Sequence, residues 1–318
     1  MALAAAVADA GPEPQVAIEA TYGWYWAVDV LQAAGATVHL AHPLGIKGFA
    51  YRRVKNDVRD AADLADLLRL GRLPEAYVAP AAVRELRELV RHRAKLVAWR
   101  SGFKASVHAV LAKQGLHIAV SDLFGVGGRQ LLATAPLDGP YRARVHACCR
   151  LIDTVDFEID AVGRQLRARL AGHAGYRVIQ AVPGVGPVLA AVFVADIGQV
   201  DRFPDPAHLT SWAGLTPRHR ESDTVVHRGP ITKQGPALVR WAAVEAAQKV
   251  PASAGWLTAN RGPAWPSAAA GTSPPSRWPA SCSRRSTTGC ATGTSVPCRP
   301  ARRRERFGRD RMRDRAGV

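Results

Sequence analysis

The sequence predicts a mixed chain: an α/β unit in front, an all-α architecture behind it, and a terminal stretch with no fold of its own. Three observations carry this. Strand and helix patterns alternate over residues 15 to 80, long charged periodic stretches fill 81 to 175, and composition changes abruptly after Lys249. Alternating strand and helix patterns imply a parallel sheet with helices packed on it.

In the first unit, "QVAIEA" is a short apolar run ending in Glu19. "YGWYWAVDVLQAAG" reads as a helix closed by Gly35, and "TVHLAHP" as a second strand stopped by Pro43. A further helix runs from about Asp57 to Leu70, with Ala61, Leu64, Ala65, Leu67 and Leu68 on its apolar face and Gly71 at its end. The unit spans 1–80.

Residues 81–175 hold two long charged helical patterns separated by the turn-rich "DLFGVGGRQLLATAPLDGP". They predict an antiparallel helical hairpin or coiled coil, with helices of one compact domain as the alternative. "GVGGRQ" reads as a loop, since no strand precedes it. Residues 176–255 read as a compact helical unit. In it "PGVGPVLAAVFVADIG" has a helix-hairpin-helix look, with Gly184 and Gly186 opening a helix. "FPDPAHLTSWAGL" and "GPALVRWAAVEAAQK" supply two more helices. From residue 256 to 318 the chain is rich in Pro, Ser, Gly, Arg and Cys and lacks apolar periodicity, so disorder is expected. It reads like a GC-rich gene translated out of frame.

Bulk properties narrow the partners. The chain has 318 residues, with 43 Lys and Arg against 26 Asp and Glu, a net charge of +17 that favours a polyanion. The start lacks a basic signal region, and no run reaches the ~20 apolar residues of a membrane span. A cytoplasmic protein without a membrane partner is expected. Five cysteines occur without zinc or disulfide spacing: Cys148 and Cys149 adjacent, Cys282, Cys290 and Cys298 in the tail.

Two constellations could carry chemistry. Asp57 and Asp60 share a helix face, and Glu19 ends a strand at the sheet edge where sites gather. Together they could hold Mg²⁺, which wants octahedral oxygen coordination; alternatively they merely favour a helix N-terminus and face solvent. The second is "WAGLTPRHRESDTVVHRGPITKQGP", which gathers Arg218, His219, Arg220, Ser222, His227, Arg228 and Lys233 in what reads as a short loop before a helix. It reads as a phosphate-gripping loop, in which Ser222 is either a nucleophile or an ordinary polar residue. Ser211 is the competing serine, beside Trp212. The backbone amides around Gly184 and Gly186 could meet a phosphate or form a purely structural turn.

Taken in order, "AIEATYGWYWAVDVLQAAGATVHLAHP", "KNDVRDAADLADLLRLG", "AVPGVGPVLAAVFVADIG", "FPDPAHLTSWAGLTPRHRESDT" and "HRGPITKQGPALVRWAAVEAA" resemble the transposases of the insertion sequence 110 family over residues 15 to 255. The resemblance implies an incomplete RNase H-like (RuvC-like) domain of DEDD type joined to a helical transposase domain. It implies DNA excision and insertion directed by a guide RNA, Mg²⁺ as cofactor, and a homodimer or tetramer whose protomers share sites. Glu19, Asp57 and Asp60 match three of the four acids, and Ser222 the serine that links covalently to DNA. Arg218, Arg220, Arg228 and Lys233 would then neutralise phosphates.

Two departures stand against the family pattern. Only 18 residues precede Glu19, and the sole aspartate among them, Asp9, sits in alanine-rich sequence without a β pattern. The first strands of the fold are expected to be missing, the end to be frame-shifted, and catalysis to be weak or absent. Two rivals remain: a non-catalytic DNA- or RNA-binding remnant, and a RuvC-like junction resolvase that uses water in place of Ser222.

Overall fold

Gln15–Glu19 (β1) and Thr37–Ala41 (β2) pair in parallel, Ile18 opposite Leu40 and Glu19 opposite Ala41. This is seen in a computed structural model that describes residues 2–49, 56–223 and 225–250. The basic run Arg52, Arg53 and Lys55, the three tail cysteines and the expected disorder of the tail lie outside the described residues.

Helix α1 (Ala2–Asp9) precedes β1, and α2 (Trp24–Ala33) connects the two strands, as a parallel pair requires. The alanine-rich start is thus helical: Val7 and Leu3 pack with Leu31, Ala36, Val16 and Val38 in a small core. After β2 a short helix α3 (Pro43–Ile46) leads towards α4 (Asp57–Arg69). Asn56 caps α4 by accepting the Arg59 N–H at 2.8 Å, and Gly71 turns the chain out at φ 64°. Leu64, Leu67 and Leu68 are half-buried, and α4 packs against β1. Among the described residues this sheet has two strands.

Helices α5 (Ala81–Lys113) and α7 (Gly139–Leu170) pair as a hairpin, and their core is continuous with that of the helices that follow. Glu85 meets Arg169, Arg100 meets Asp156 and Ser106 meets Arg144, so the pairing is antiparallel. Between them lies α6 (Val126–Thr134), which corrects the loop expected at 125–130. Of its two glycines, Gly128 lets the helix come close, while Gly127 faces open space. A Cβ on Gly128 would lie 2.4 Å from the Asp122 and Leu123 carbonyl oxygens, while Leu132 buries with Leu123, Leu137 and Val145.

The last unit holds α8 (Ala174–Gln180), α9 (Pro187–Ile197), α10 (Pro206–Trp212) and α11 (Ala237–Lys249). Helix α9 is apolar except for Asp196, which pairs with Arg91, and is accordingly buried, with Ala190, Ala191, Val192 and Ala195 in the main core beside Val162, Leu166, Ala242 and Ala246. Its C-terminal carbonyls are covered by arginines. Arg87 donates to Ala195 O and Asp196 O at 2.9 and 2.8 Å, and Arg202 donates to Ile197 O at 3.3 Å. Burial lowers the pKa of both guanidinium groups. Among the described residues no helix is long and apolar enough to cross a membrane.

Candidate functional site: a basic β-hairpin and an acidic strand tip

The segment expected to be a loop before α11 is a β-hairpin. Pro217–Ser222 (β3) and Val225–Ile231 (β4) pair antiparallel, with Ser222 opposite Val225, Arg220 opposite His227 and His219 opposite Arg228. Two residues join the strands, and Asp223 sits at φ 53°, the left-handed conformation that short hairpin connections need. The alternation that marks most strands is absent from the sequence here, because neither face packs on a core. Every described residue of both strands is exposed except half-buried Ile231.

Pleating sorts these side chains. Ser222 and Arg220 share one face with their cross-strand partners Val225 and His227; His219, Glu221, Val226 and Arg228 share the other. Arg218 lies at a register shift between Pro217 and His219. None of Arg218, Arg220, Arg228 and Lys233 makes an ion pair among the described residues. Ser222 is therefore an exposed hydroxyl at the tip of a cationic ribbon.

The foot of the ribbon is held tightly. Gly214 and Gly235 have positive φ, and a Cβ on either would lie 2.0 Å from a backbone oxygen, of Gln234 and Trp212 respectively. One guanidinium nitrogen of Arg240 donates to Ala213 O, Gln234 O and Gly235 O at 3.0, 2.7 and 3.1 Å. Lys233, at φ 57°, leaves this clamp with its side chain exposed. A two-stranded ribbon is marginal alone in water, so the clamp supplies the order its faces do not.

At the other end of the chain, Glu19 closes β1 and is half-buried. Asp57 and Asp60 occupy the first turn of α4, Asp57 exposed and Asp60 half-buried with Asp63 one turn on. The packing of α4 against β1 makes these neighbouring elements. Even so, among the described residues no three His, Cys, Asp or Glu side chains are gathered so that they could hold a metal ion. Glu19, Asp57 and Asp60 do not fit a complete Mg²⁺ site, which needs several oxygen ligands at about 2.1 Å.

The turn before α9 separates its two glycines. Gly184 has φ 88°, and a Cβ there would lie 2.2 Å from Ala246 O of α11. That close approach explains Gly184 without any ligand. Gly186, the N-cap residue of α9, faces open space. An open cavity of about 530 Å³ is lined by this turn together with Gln180 and Lys249, and another of about 480 Å³ lies between the start of α5 and the ends of α7 and α9, lined by Glu85, Leu86, Arg169, His173 and Gln199.

Sequence reasoning passed over Tyr22 and Trp26. The signal was present in the aromatic run "TYGWYW" directly after Glu19, where both side chains prove exposed.

Residues 1–114 match a family model described as Transposase, of the DEDD type in IS110 elements. Residues 176–260 match the model described as Transposase IS116/IS110/IS902 family. The two cover more than half of the chain in order. The chain belongs to the IS116/IS110/IS902 transposase family. It is 28% identical over 234 residues to a protein of Pseudomonas aeruginosa named as a probable family 20 transposase, covering 71% of this chain and 68% of that one. It is 31% identical over 160 residues to an insertion element IS110 protein of 43.6 kDa from Streptomyces coelicolor, covering 49% of this chain and 35% of that protein. A 44.8 kDa protein of insertion element IS116 from Streptomyces clavuligerus is 34% identical over 88 residues, 27% of this chain and 22% of its own length. This chain thus spans about a third or less of the two Streptomyces relatives it matches. Membership of a transposase family implies an enzyme class that cuts and joins DNA, and DEDD domains in general use a divalent metal.

Proposed function

We propose that this transposase-family chain cuts and joins the DNA of a mobile element through Ser222, presented by the β3–β4 ribbon. The observation that carries this reading is the exposed Ser222 hydroxyl on a ribbon face shared with Arg220, beside cations that have no acidic partner among the described residues. In the reaction the Ser222 oxygen attacks a backbone phosphorus and forms a phosphoserine bond. The bond from phosphorus to the leaving deoxyribose oxygen breaks, and that oxygen takes a proton. A hydroxyl at another DNA end then attacks the phosphoserine, joining the strands and restoring Ser222. Both steps concentrate negative charge on the phosphoryl oxygens, which Arg220 would offset from the Ser222 face, while Arg228 on the opposite face and Arg218 and Lys233 nearer the foot would meet flanking phosphates. The amides around Gly186 offer a second phosphate contact, with Gly184 shaping the turn.

Glu19, Asp57 and Asp60 are assigned to the acidic site by family resemblance, with Mg²⁺ as its ion. Because the described residues do not complete such a site, no step is routed through it. A guide RNA and assembly into a homodimer or tetramer belong to the same reading, both supported by resemblance and the RNA also by the +17 charge.

The second reading is a nucleic-acid binder without catalysis, favoured by the same lack of a three-carboxylate group among the described residues. A water-using resolvase is the third, and Ser222 separates it from the first. One experiment divides them: incubate the full chain with Mg²⁺, labelled element DNA and the transcript of the element's own end, then resolve products on a denaturing gel. A covalent protein–DNA adduct lost in Ser222→Ala is the expected result. Binding without cleavage establishes the second reading, and cleavage undiminished in Ser222→Ala the third.

A further inference from the structure

We infer that Tyr22 and Trp26 form a stacking platform for unpaired nucleobases beside the acidic strand tip. The inference rests on the nucleic-acid part of the function proposed above. It starts from an anomaly of burial. The run from Tyr22 to Trp26 contains four aromatic residues, and the fold uses only two. Trp24 and Tyr25 are half-buried and meet edge to face at 4.4 Å, and Tyr25 also lies under the Arg84 guanidinium, 5.0 Å from its ring centroid. Tyr22 is fully exposed and Trp26 is 62% exposed, although both lie next to ordered structure. Large aromatic side chains lose more than any others by facing water.

The Trp26 placement is built. Gly23 takes φ 79°, and a Cβ on it would lie 3.6 Å from the Trp26 indole nitrogen. The indole therefore lies against the Gly23 turn, which directly follows Tyr22 in the chain. Tyr22 is three residues after Glu19, so the platform lies within about 11 Å of the strand tip. Flat rings with no ring partner among the described residues, in a strongly cationic chain, match the way single strands are held: charge along the backbone and aromatic planes under the bases. A duplex keeps its bases stacked on each other and gains nothing from such rings. The occupant is thus an unpaired stretch of DNA or RNA.

The test measures affinity of the full-length chain for fluorescent oligo(dT), oligo(U) and a duplex of equal length, at one fixed salt concentration. Tyr22→Ala/Trp26→Ala should weaken both single strands about tenfold or more while leaving the duplex unchanged. Tyr22→Phe/Trp26→Phe, which keeps the rings, should restore the affinity. Unchanged single-strand affinity in the alanine variant overturns the platform and leaves the Ser222 reading standing. Equal loss on duplex, or failure of the phenylalanine variant to restore binding, also overturns it. A shift in mass on sedimentation of the alanine variant would assign the rings to contact between copies instead. If the unaltered chain binds no nucleic acid at all, the proposed function fails first.

Discussion

Arg84 of α5 reaches into the first unit and grips Asp29 of α2 through two hydrogen bonds, one of them 3.0 Å long, while the same guanidinium donates to Tyr25 O at 3.3 Å. Arg84 is only 8% exposed, so this pair fastens the strand-bearing unit to the helical hairpin.

Removing the Asp29 charge leaves a buried guanidinium with one fewer partner. Full burial of such a pair would make its loss cost several kcal/mol; Asp29 is half-exposed, which reduces the figure. Asp29→Asn should lower unfolding free energy by about 1–2 kcal/mol. Urea denaturation of the two proteins checks this.

Gly184 and Gly186 should respond differently to the same substitution. Gly184→Ala forces a methyl against Ala246 O and strains a positive φ, costing about 3 kcal/mol. Gly186→Ala meets open space at φ −84°, and should change melting temperature little. If phosphate reaches the α9 amides, Gly186→Ala should weaken DNA binding with the fold intact.

Arg220→Ala and Arg228→Ala should each weaken DNA binding about equally across unrelated sequences. Each should also reduce the slope of log affinity against log salt by about 0.9 for every phosphate that is no longer neutralised. A titration over several salt concentrations measures that slope. An unchanged slope would show that the arginine does not touch the DNA backbone.

Asp205 caps α10 by accepting the His208 N–H at 2.9 Å, and its side chain also meets the His208 ring. The backbone bond, with the ring bond second, holds its carboxyl below the usual carboxylate range. A depressed folded pKa means the contribution to stability is complete above the ordinary carboxylate pKa. It is lost as pH falls through the folded value. Titration of the Asp205 carboxyl by NMR should show this displacement. Asp205→Asn, which keeps the cap, should abolish the acid-linked loss at α10.

Much of the first unit is legible because its residues obey local rules. The apolar run ending at Glu19 and the period of Leu64, Leu67 and Leu68 announce half-buried elements. Gly35 and Gly71 mark helix ends whatever the surroundings. The long period of α5 and α7 is equally plain. Two elements are not legible. Helix α6 begins with Val-Gly-Gly, which local propensity disfavours, and forms because Leu132 and the close approach at Gly128 outweigh that cost. The β3–β4 ribbon has no buried face to write an alternating pattern, so only its backbone pairing reveals it.

The same division holds for the site. Local sequence dictates the chemistry on offer: Ser222 among arginines, Glu19 at a strand tip, and Asp57 with Asp60 on one helical turn. It can do so because spacing along an element sets which side chains share a face. Folding then settles what those residues can do together. It puts Ser222 and Arg220 on one face of a clamped ribbon, assigns Gly184 to packing against α11, and turns Tyr22 and Trp26 outward. It also leaves the described carboxylates short of a metal cage. Such outcomes depend on contacts between residues far apart in the chain, which periodicity along one segment does not encode.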